Sequence, residues 1–308
     1  MKIITSGFGN TDIDALACAI AYHELLALEN QEVGILISQD YTVSVPASIK
    51  NWGLPTNATQ EEAEDTDTEF ILVDFSDPHK LLIGVDKDKI IQIFDHHFFG
   101  FESFWFELLG DYAIIEAVGS CASLIWREYQ VRGMLEKMSQ RVARFLYAAV
   151  ISNTLNLQAG VCVKLDRDAA ADLKIRAGLP TNWIVNYYHE VEQTVLANPL
   201  PVIKADTRLY EINNETWVIG QLELWDGDSF ISENFKQLQQ FIEDAETENA
   251  KYGFLTIVSI KEGMNYILTK NEASKQVLAE RLKLRKGKIS LETNKLLLRK
   301  EIFKILNS

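Results

Sequence analysis

The order of short apolar runs and helical stretches predicts an α/β protein, with a parallel-sheet N-terminal domain and a smaller α/β C-terminal domain. Three observations carry that expectation. Short apolar runs recur with helical patterns between them, two of these runs end on an aspartate, and a proline-flanked break at Asn198-Pro199-Leu200-Pro201 precedes a second strand–helix series. Short buried strands separated by helices indicate a parallel sheet with helices on both faces. Ligands bind such sheets beyond the carboxyl ends of the strands.

Taken in order, residues 2–5 read as a strand and 13–28 as a helix with Leu16, Ala19, Ile20 and Leu26 on its apolar positions. Residues 33–37 form the next strand. Residues 70–73 and 90–94 are buried strands that end on Asp74 and Asp95. Residues 138–151 read as a helix that delivers the segment SNTLN at 152–156, and the helical pattern resumes from 168 to about 197. The Asn-Pro-Leu-Pro break then reads as a linker, which sets the domains at 1–190 and 200–308. Beyond it, 217–224, 253–260 and 266–269 read as strands and 229–249 and 272–283 as helices. The acidic run at 61–69 reads as a solvated loop.

At 308 residues the chain has room for two domains. A hydrophobic fraction of 47% and a charged fraction of 24% describe a globular protein. The 44 acidic against 30 basic residues, a formal charge of −14, argue against a nucleic-acid polymer as partner. A small phosphate ligand stays compatible, because a divalent ion and a few local cations reverse the field inside one site. Cys18, Cys121 and Cys162 form no CxxC pair, and their odd number suits reduced thiols in the cytoplasm. Asp12 and Asp14 interrupt the N-terminal apolar stretch, so no secretory leader is expected. No window approaches the roughly 20 apolar residues of a membrane span.

Three clusters fall where strands should end: Asp12-Ile13-Asp14, Asp74 with Asp77, and Asp95-His96-His97. Hard divalent cations take carboxylate oxygen, and Mn also accepts imidazole nitrogen. A D-x-D pair can serve two neighbouring metals, and an Asp from another strand can bridge them. Two metals about 3.5–4 Å apart polarise a phosphoryl group and generate a hydroxide nucleophile. Each piece also has a plain structural reading. Asp12 can be the N-cap of its helix, and Asp74 a strand-end carboxylate satisfied by backbone. Two adjacent imidazoles and a carboxylate at a buried strand end are costly without partners, and the three clusters together favour function.

In order along the chain, Asp12-x-Asp14, Asp74, Asp95-His96-His97 and Ser152-Asn153-Thr154 resemble the four motifs of the DHH phosphoesterases, and the likeness continues through GSCAS at 119–123. The C-terminal part, through IGQLELWD at 219–226 and LLLRKEIFKIL at 296–306, resembles the DHH-associated domain of the manganese-dependent (family II) inorganic pyrophosphatases and of the exopolyphosphatases. The oligonucleotide-acting branch carries a GGGH-type motif, and this chain has no Gly-Gly pair. The resemblance implies an active-site cleft between a DHH domain and a substrate-clamping domain. It makes Asp12, Asp14, Asp74 and His96 metal ligands, with Asn153 at the fourth-motif position and Asp74 bridging two Mn or Mg ions. It makes His97 a phosphate contact and general acid, and Arg208, Arg299 and Lys300 the substrate clamp. Read without it, Arg299 and Lys300 are a basic helix C-terminus favoured by the dipole.

The chain departs from the pyrophosphatase pattern at Phe8, where a metal-binding histidine stands, at Asn153, where an Asp stands, at Gln158 and at Arg208, both lysine positions. The implied activity is hydrolysis of pyrophosphate or short polyphosphate in the cytoplasm. Two alternatives are open: a phosphoesterase acting on another small molecule such as a nucleotide, and a weakened metal- or phosphate-binding relative. Edge strands of such sheets also allow a homodimer. The aromatic run Phe98, Phe99, Phe101, Phe104, Trp105 and Phe106 is expected to serve core packing or an interface.

Overall fold

The computed structural model describes residues 1–98 and 100–308, with backbone alone at 246–249. Phe99 of the aromatic run lies outside the described residues. The chain divides into two compact units, Met1–Leu157 with Val161–Trp183, and Gln158–Gly160 with Ile184–Ser308.

The first unit runs β1 (Lys2–Thr5), α1 (Ile13–Leu28), β2 (Val33–Leu36), α2 (Ala47–Lys50), α3 (Gln60–Glu64), β3 (Glu69–Val73), β4 (Ile90–Asp95), α4 (Glu102–Leu109), β5 (Ala113–Ile115), α5 (Cys121–Val131), α6 (Gln140–Asn153) and α7 (Lys164–Ala177). Its sheet has the order β2-β1-β3-β4-β5, and every pair is parallel. The chain steps from β1 outward to β2 and then back across β1 to β3. That reversal opens a crevice between the carboxyl ends of β1 and β3, the place where such sheets bind ligands. Both faces are covered. Ile3, Phe70, Leu72 and Ile93 pack with Ala63 of α3 and Trp105 of α4. On the opposite face Phe94 meets Tyr22 of α1, ring centroids 4.8 Å apart. Helix α1 is buried from Ile13 to Tyr22, as a helix enclosed on all sides requires.

The acidic segment around 61–69 is more ordered than its charge suggests. Thr59 and Glu62 close a capping box on α3, and two N-terminal amide donors are thereby satisfied.

The second unit contains α8 (Trp183–Ala197), α9 (Pro199–Ala205), β6 (Arg208–Ile212), β7 (Glu215–Leu224), α10 (Gly227–Asn249), β8 (Tyr252–Ser259), β9 (Met264–Leu268), α11 (Glu272–Arg281), β10 (Arg285–Lys286), β11 (Leu291–Thr293) and α12 (Arg299–Leu306). Its mixed sheet has the order β10-β11-β9-β8-β7-β6, with β7 and β8 parallel and the other pairs antiparallel. Trp217, Ile219, Phe254 and Ile267 bury one face against Leu278 of α11 and Ile302 of α12. The break expected at Asn198–Pro201 is instead the start of α9, with proline in its first turn. Proline fits there because its missing N–H would have no helical partner anyway. Among the described residues no helix is long and apolar enough to cross a membrane.

Candidate metal centre and anion-binding residues

Asp74 sits one residue beyond β3 with φ +55°, a left-handed conformation that costs a non-glycine residue free energy and is concentrated at functional positions. Its amide donates to the carbonyl of Phe94, 2.8 Å away, which fixes the turn against β4. The side chain is buried, and among the described residues its Oδ1 makes no hydrogen bond. That oxygen lies 3.3 Å from His96 Nε2 and 3.8 Å from His97 Nδ1. Among the described residues Asp74, His96 and His97 are the group whose ligand atoms all fall within 4.8 Å of one another.

The two imidazoles are held by their other contacts. His96 Nδ1 is 3.0 Å from the carbonyl of Val118. A carbonyl only accepts, so Nδ1 carries a proton and Nε2 is the nitrogen turned to Asp74. Nε2 and Asp74 Oδ1 lie 3.3 Å apart, a spacing that a proton or a cation between them satisfies. His97 Nδ1 is 2.9 Å from Asp95 Oδ1, the oxygen that also accepts from the amides of His96 and His97. Asp95, buried on β4, thus sets the ring orientation and tautomer of His97. The His97 pairing holds the Asp95 carboxyl below its usual range against the opposing effect of burial.

Asp12 is the N-cap of α1, its Oδ1 accepting from the amides of Asp14 and Ala15 at 3.0 and 2.9 Å. Asp14 is fully buried and serves a second helix. Its Oδ1 accepts from Ser120 Oγ and the Ala122 amide, and its Oδ2 from the Cys121 amide, at 2.9–3.0 Å. Asp166 takes the two preceding amides, Gly119 at 2.8 Å and Ser120 at 3.3 Å. Four successive N–H groups of the GSCAS turn therefore rest on two buried carboxylates. Gly119 has to be glycine, since a Cβ there would stand 2.8 Å from Asp166 Oδ2 and 2.6 Å from Thr154 Cγ2. Asp14 Oδ2 still reaches to 3.7 Å from His96 Nε2.

The carboxylates crowd one another. Burial pushes Asp14 up to about 7, Asp12 adds to the rise, and the Ala122, Cys121 and Ser120 hydrogen bonds oppose it. Burial raises Asp74 well above the ordinary carboxylate range, with the charges of Asp14 and Asp12 next in effect. Like charges gathered in a low-dielectric site are relieved by a cation. The hydrogen-bond-free Asp74 Oδ1, 3.3 Å from the His96 imidazole and close to two further carboxylates, is the observation that fits these residues to a divalent ion of Mn type.

Of the other expected residues, Asn153 ends α6, and its Nδ2 donates back to the Ala149 carbonyl at 3.4 Å. The chain leaves that helix in a left-handed turn, with φ +49°, +58° and +62° at Leu155, Asn156 and Leu157. Thr154 Oγ1 accepts the Leu157 amide and steadies the turn. Phe8 is 69% exposed and offers no ligand atom. The aromatic run splits: Trp105 is buried, with Nε1 donating to the Ser76 carbonyl, while Phe98, Phe104 and Phe106 are exposed.

In the second unit Arg299 and Lys300 open α12 and do not close a helix. The helix dipole opposes cations at that end, so the dipole explanation for the pair is withdrawn. Arg299 donates from Nη2 to Asp206 Oδ1 at 2.9 Å and from Nη1 to the Asp206 carbonyl. Its amide donates to Gln221 Oε1 at 2.5 Å. Arg208 is exposed, and its Nη1 donates to the carbonyls of Ala205 and Thr207 at 2.7 and 2.9 Å. Glu223 accepts from Gln221 Nε2. Burial pushes Glu223 up to about 7, with Asp206 adding to the rise and Arg299 and Lys300 opposing it.

Asp95, Asp166, Ser120 and Asp206 are residues to which sequence reasoning gave no role of their own, although Asp95 and Ser120 lay inside motifs that it singled out. Asp95 stood in plain view beside the two histidines. The other three act through partners far away in sequence.

No family model matches the chain. A candidate manganese-dependent inorganic pyrophosphatase of Shouchella clausii is 27% identical over 184 residues, and the match spans 58% of this chain and 56% of that protein. The manganese-dependent inorganic pyrophosphatase of Methanocaldococcus jannaschii is 25% identical over 86% of both chains. The crystal structure of a candidate family II inorganic pyrophosphatase from Methanococcus jannaschii covers the whole of both chains with a TM-score of 0.67 at 20% identity, a likeness of fold. In sequence and in fold, the chain is a relative of the manganese-dependent (family II) inorganic pyrophosphatases.

Proposed function

We propose that this protein is a metal-dependent hydrolase of small phosphoanhydrides, pyrophosphate or a short polyphosphate. The observation that carries the reading is Asp74: a buried carboxylate in strained backbone, with an oxygen that accepts no hydrogen bond among the described residues and lies 3.3 Å from an imidazole nitrogen. Asp12, Asp14, Asp74 and His96, with Asn153 at the fourth-motif position, would hold two Mn or Mg ions, and Asp74 would bridge them. A divalent ion there supplies Lewis-acid polarisation of phosphoryl oxygen and an acidified water. His97, oriented by Asp95, contacts the phosphate and delivers a proton to the leaving oxygen. Arg208, Arg299 and Lys300 bind phosphate oxygens, the two guanidinia through paired donors and the ammonium as a point charge.

Residues 1–190 form the metal-binding domain in this reading, and 200–308 the substrate-binding domain. A cytoplasmic setting is supported by three cysteines that are all free thiols. The acidic charge supports a small anion and not a nucleic-acid polymer as substrate, and pairing along a sheet edge would give a homodimer. Phe8 and the back-bonded Asn153 predict metal affinity below that of a site with histidine and aspartate in those places.

The test is phosphate release by metal-stripped protein with Mn and Mg restored separately, on pyrophosphate, tripolyphosphate and a nucleotide panel. Metal-dependent release from either inorganic substrate supports the reading. Release from nucleotides alone replaces the substrate class, and metal binding without any release makes the chain a binding protein.

A further inference from the structure

Both arginines assigned to phosphate are engaged at one place, the carboxyl end of α9. Arg208 holds the carbonyls of Ala205 and Thr207. Arg299 holds the carbonyl of Asp206 and, through Nη2, its Oδ1 at 2.9 Å. The Asp206 side chain is 40% exposed and that of Arg299 17%. This is a guanidinium on a carboxylate, the contact that a phosphate oxygen would make.

We propose that Asp206 is a specificity-determining residue that occupies Arg299 as an internal anion and competes with the substrate's phosphate for it. The proposal rests on the reading of Arg299 as a phosphate-binding residue. The groups around the pair fit the role. Glu223 lies on the same sheet face as Gln221, which bonds it and the Arg299 amide together. Its carboxyl shares the field of Asp206, Arg299 and Lys300. With a carboxylate already on Arg299, a small anion that engages Arg299 alone, such as orthophosphate or sulfate, gains little by exchange. An anion of several charges gains from Lys300 and Arg208 as well and displaces Asp206. The arrangement therefore selects polyanionic phosphates over orthophosphate or sulfate.

A residue that merely positions Arg299 and a residue that competes for it differ in the sign of their effect. Loss of a positioning contact weakens anion binding, and loss of a competitor strengthens it. The experiment is calorimetric titration of the full chain with tripolyphosphate and with orthophosphate in EDTA, where hydrolysis does not intervene. It uses wild type, Asp206→Asn, Arg299→Ala and the double variant. A partly exposed ion pair of this kind is worth up to about 1 kcal/mol, so Asp206→Asn should bind both anions about three- to fivefold more tightly. Orthophosphate should gain the more, and the effect should vanish in the Arg299→Ala background. Asp206→Ser is the second variant and should act in the same direction. Unchanged or weaker binding by both Asp206 variants, with Arg299→Ala still impaired, overturns the competitor and leaves the phosphate-binding arginine standing. Wild-type binding by Arg299→Ala removes that arginine from the site and the competitor with it.

Discussion

Replacing Asp74 by Asn separates the metal site from the fold. Asn tolerates the left-handed backbone at φ +55° and keeps the shape of Asp, so the substitution changes charge and little else. It breaks no hydrogen bond at Oδ1, which has none. What it removes is repulsion. Asp74 Oδ1 and Asp14 Oδ2 lie 3.3 and 3.7 Å from the same nitrogen, His96 Nε2, and hence no more than about 7 Å from each other. At an effective dielectric constant of about 20, two ionised carboxylates at that distance repel by about 2 kcal/mol, and the raised Asp14 and Asp74 carboxyls relieve part of this by holding protons. In EDTA the variant should therefore match wild type or exceed it by up to about 2 kcal/mol. For a unit of this size that raises Tm by up to about 4–8 °C. With Mn at a hundred times its dissociation constant, wild type should gain about 2.7 kcal/mol, and the variant much less. Thermal unfolding in EDTA and in Mn measures both numbers. A variant that loses more than about 2 kcal/mol in EDTA, or that gains as much as wild type from Mn, refutes the assignment of Asp74 as a ligand held under electrostatic strain.

Asp14→Ala should behave in the opposite way. It strands the Cys121 amide and the Ser120 hydroxyl, while the Ala122 amide keeps Ser120 Oγ at 3.2 Å, at about 1–3 kcal/mol for each buried donor, so urea unfolding should show a loss of at least about 2 kcal/mol even in EDTA. A loss below about 1 kcal/mol would mean that the GSCAS turn finds other acceptors. Asp95→Asn removes the carboxylate that fixes the His97 tautomer. It should lower kcat by about 10- to 100-fold with Mn binding intact, and an unaltered kcat would take His97 out of proton transfer. The raised Asp14 carboxyl also fixes a pH dependence. Unfolded, this group ionises near 3.8; folded, it keeps its proton to about 7. The folded state thus binds more protons between those values, and metal-free stability falls as pH rises through that window, by at most about 4 kcal/mol. Stabilisation by Mn should grow over the same window, because the ion replaces the proton; a Mn effect independent of pH from 5 to 7.5 would contradict this.

The legible parts of the chain were those set by local pattern. The bounds of β1 and α1 follow from an apolar run and an Asp N-cap, and both buried strands of the DHH pattern end where the carboxylates begin. Strands β5, β10 and β11 escaped because two or three residues carry no period. Helix α9 escaped because Pro199 reads as a break when it is a helix start. At the site, identity was legible and division of labour was not. Asp14 and Asp74 look equivalent as acidic residues in two motifs, yet Asp14 meets Cys121 across 107 positions of sequence. Nothing near either residue announces that long-range bond.

That division bears on how the centre would work. A carboxylate that accepts hydrogen bonds from two amides and a hydroxyl is fixed in place, and its contribution to an ion is position and charge. A carboxylate whose buried oxygen accepts no hydrogen bond among the described residues has none to give up when it takes an ion. Asp12 lies between these cases, with Oδ1 committed to the α1 cap. The folded chain thus presents one fully committed carboxylate, one half-committed and one uncommitted, which is a physical reason to assign the bridging position to Asp74. If ion binding displaced Asp14 instead, the first turn of α5 would lose its acceptors, and amide exchange at Cys121 and Ala122 would quicken on adding Mn. Slower exchange at those two amides is the outcome that the assignment requires.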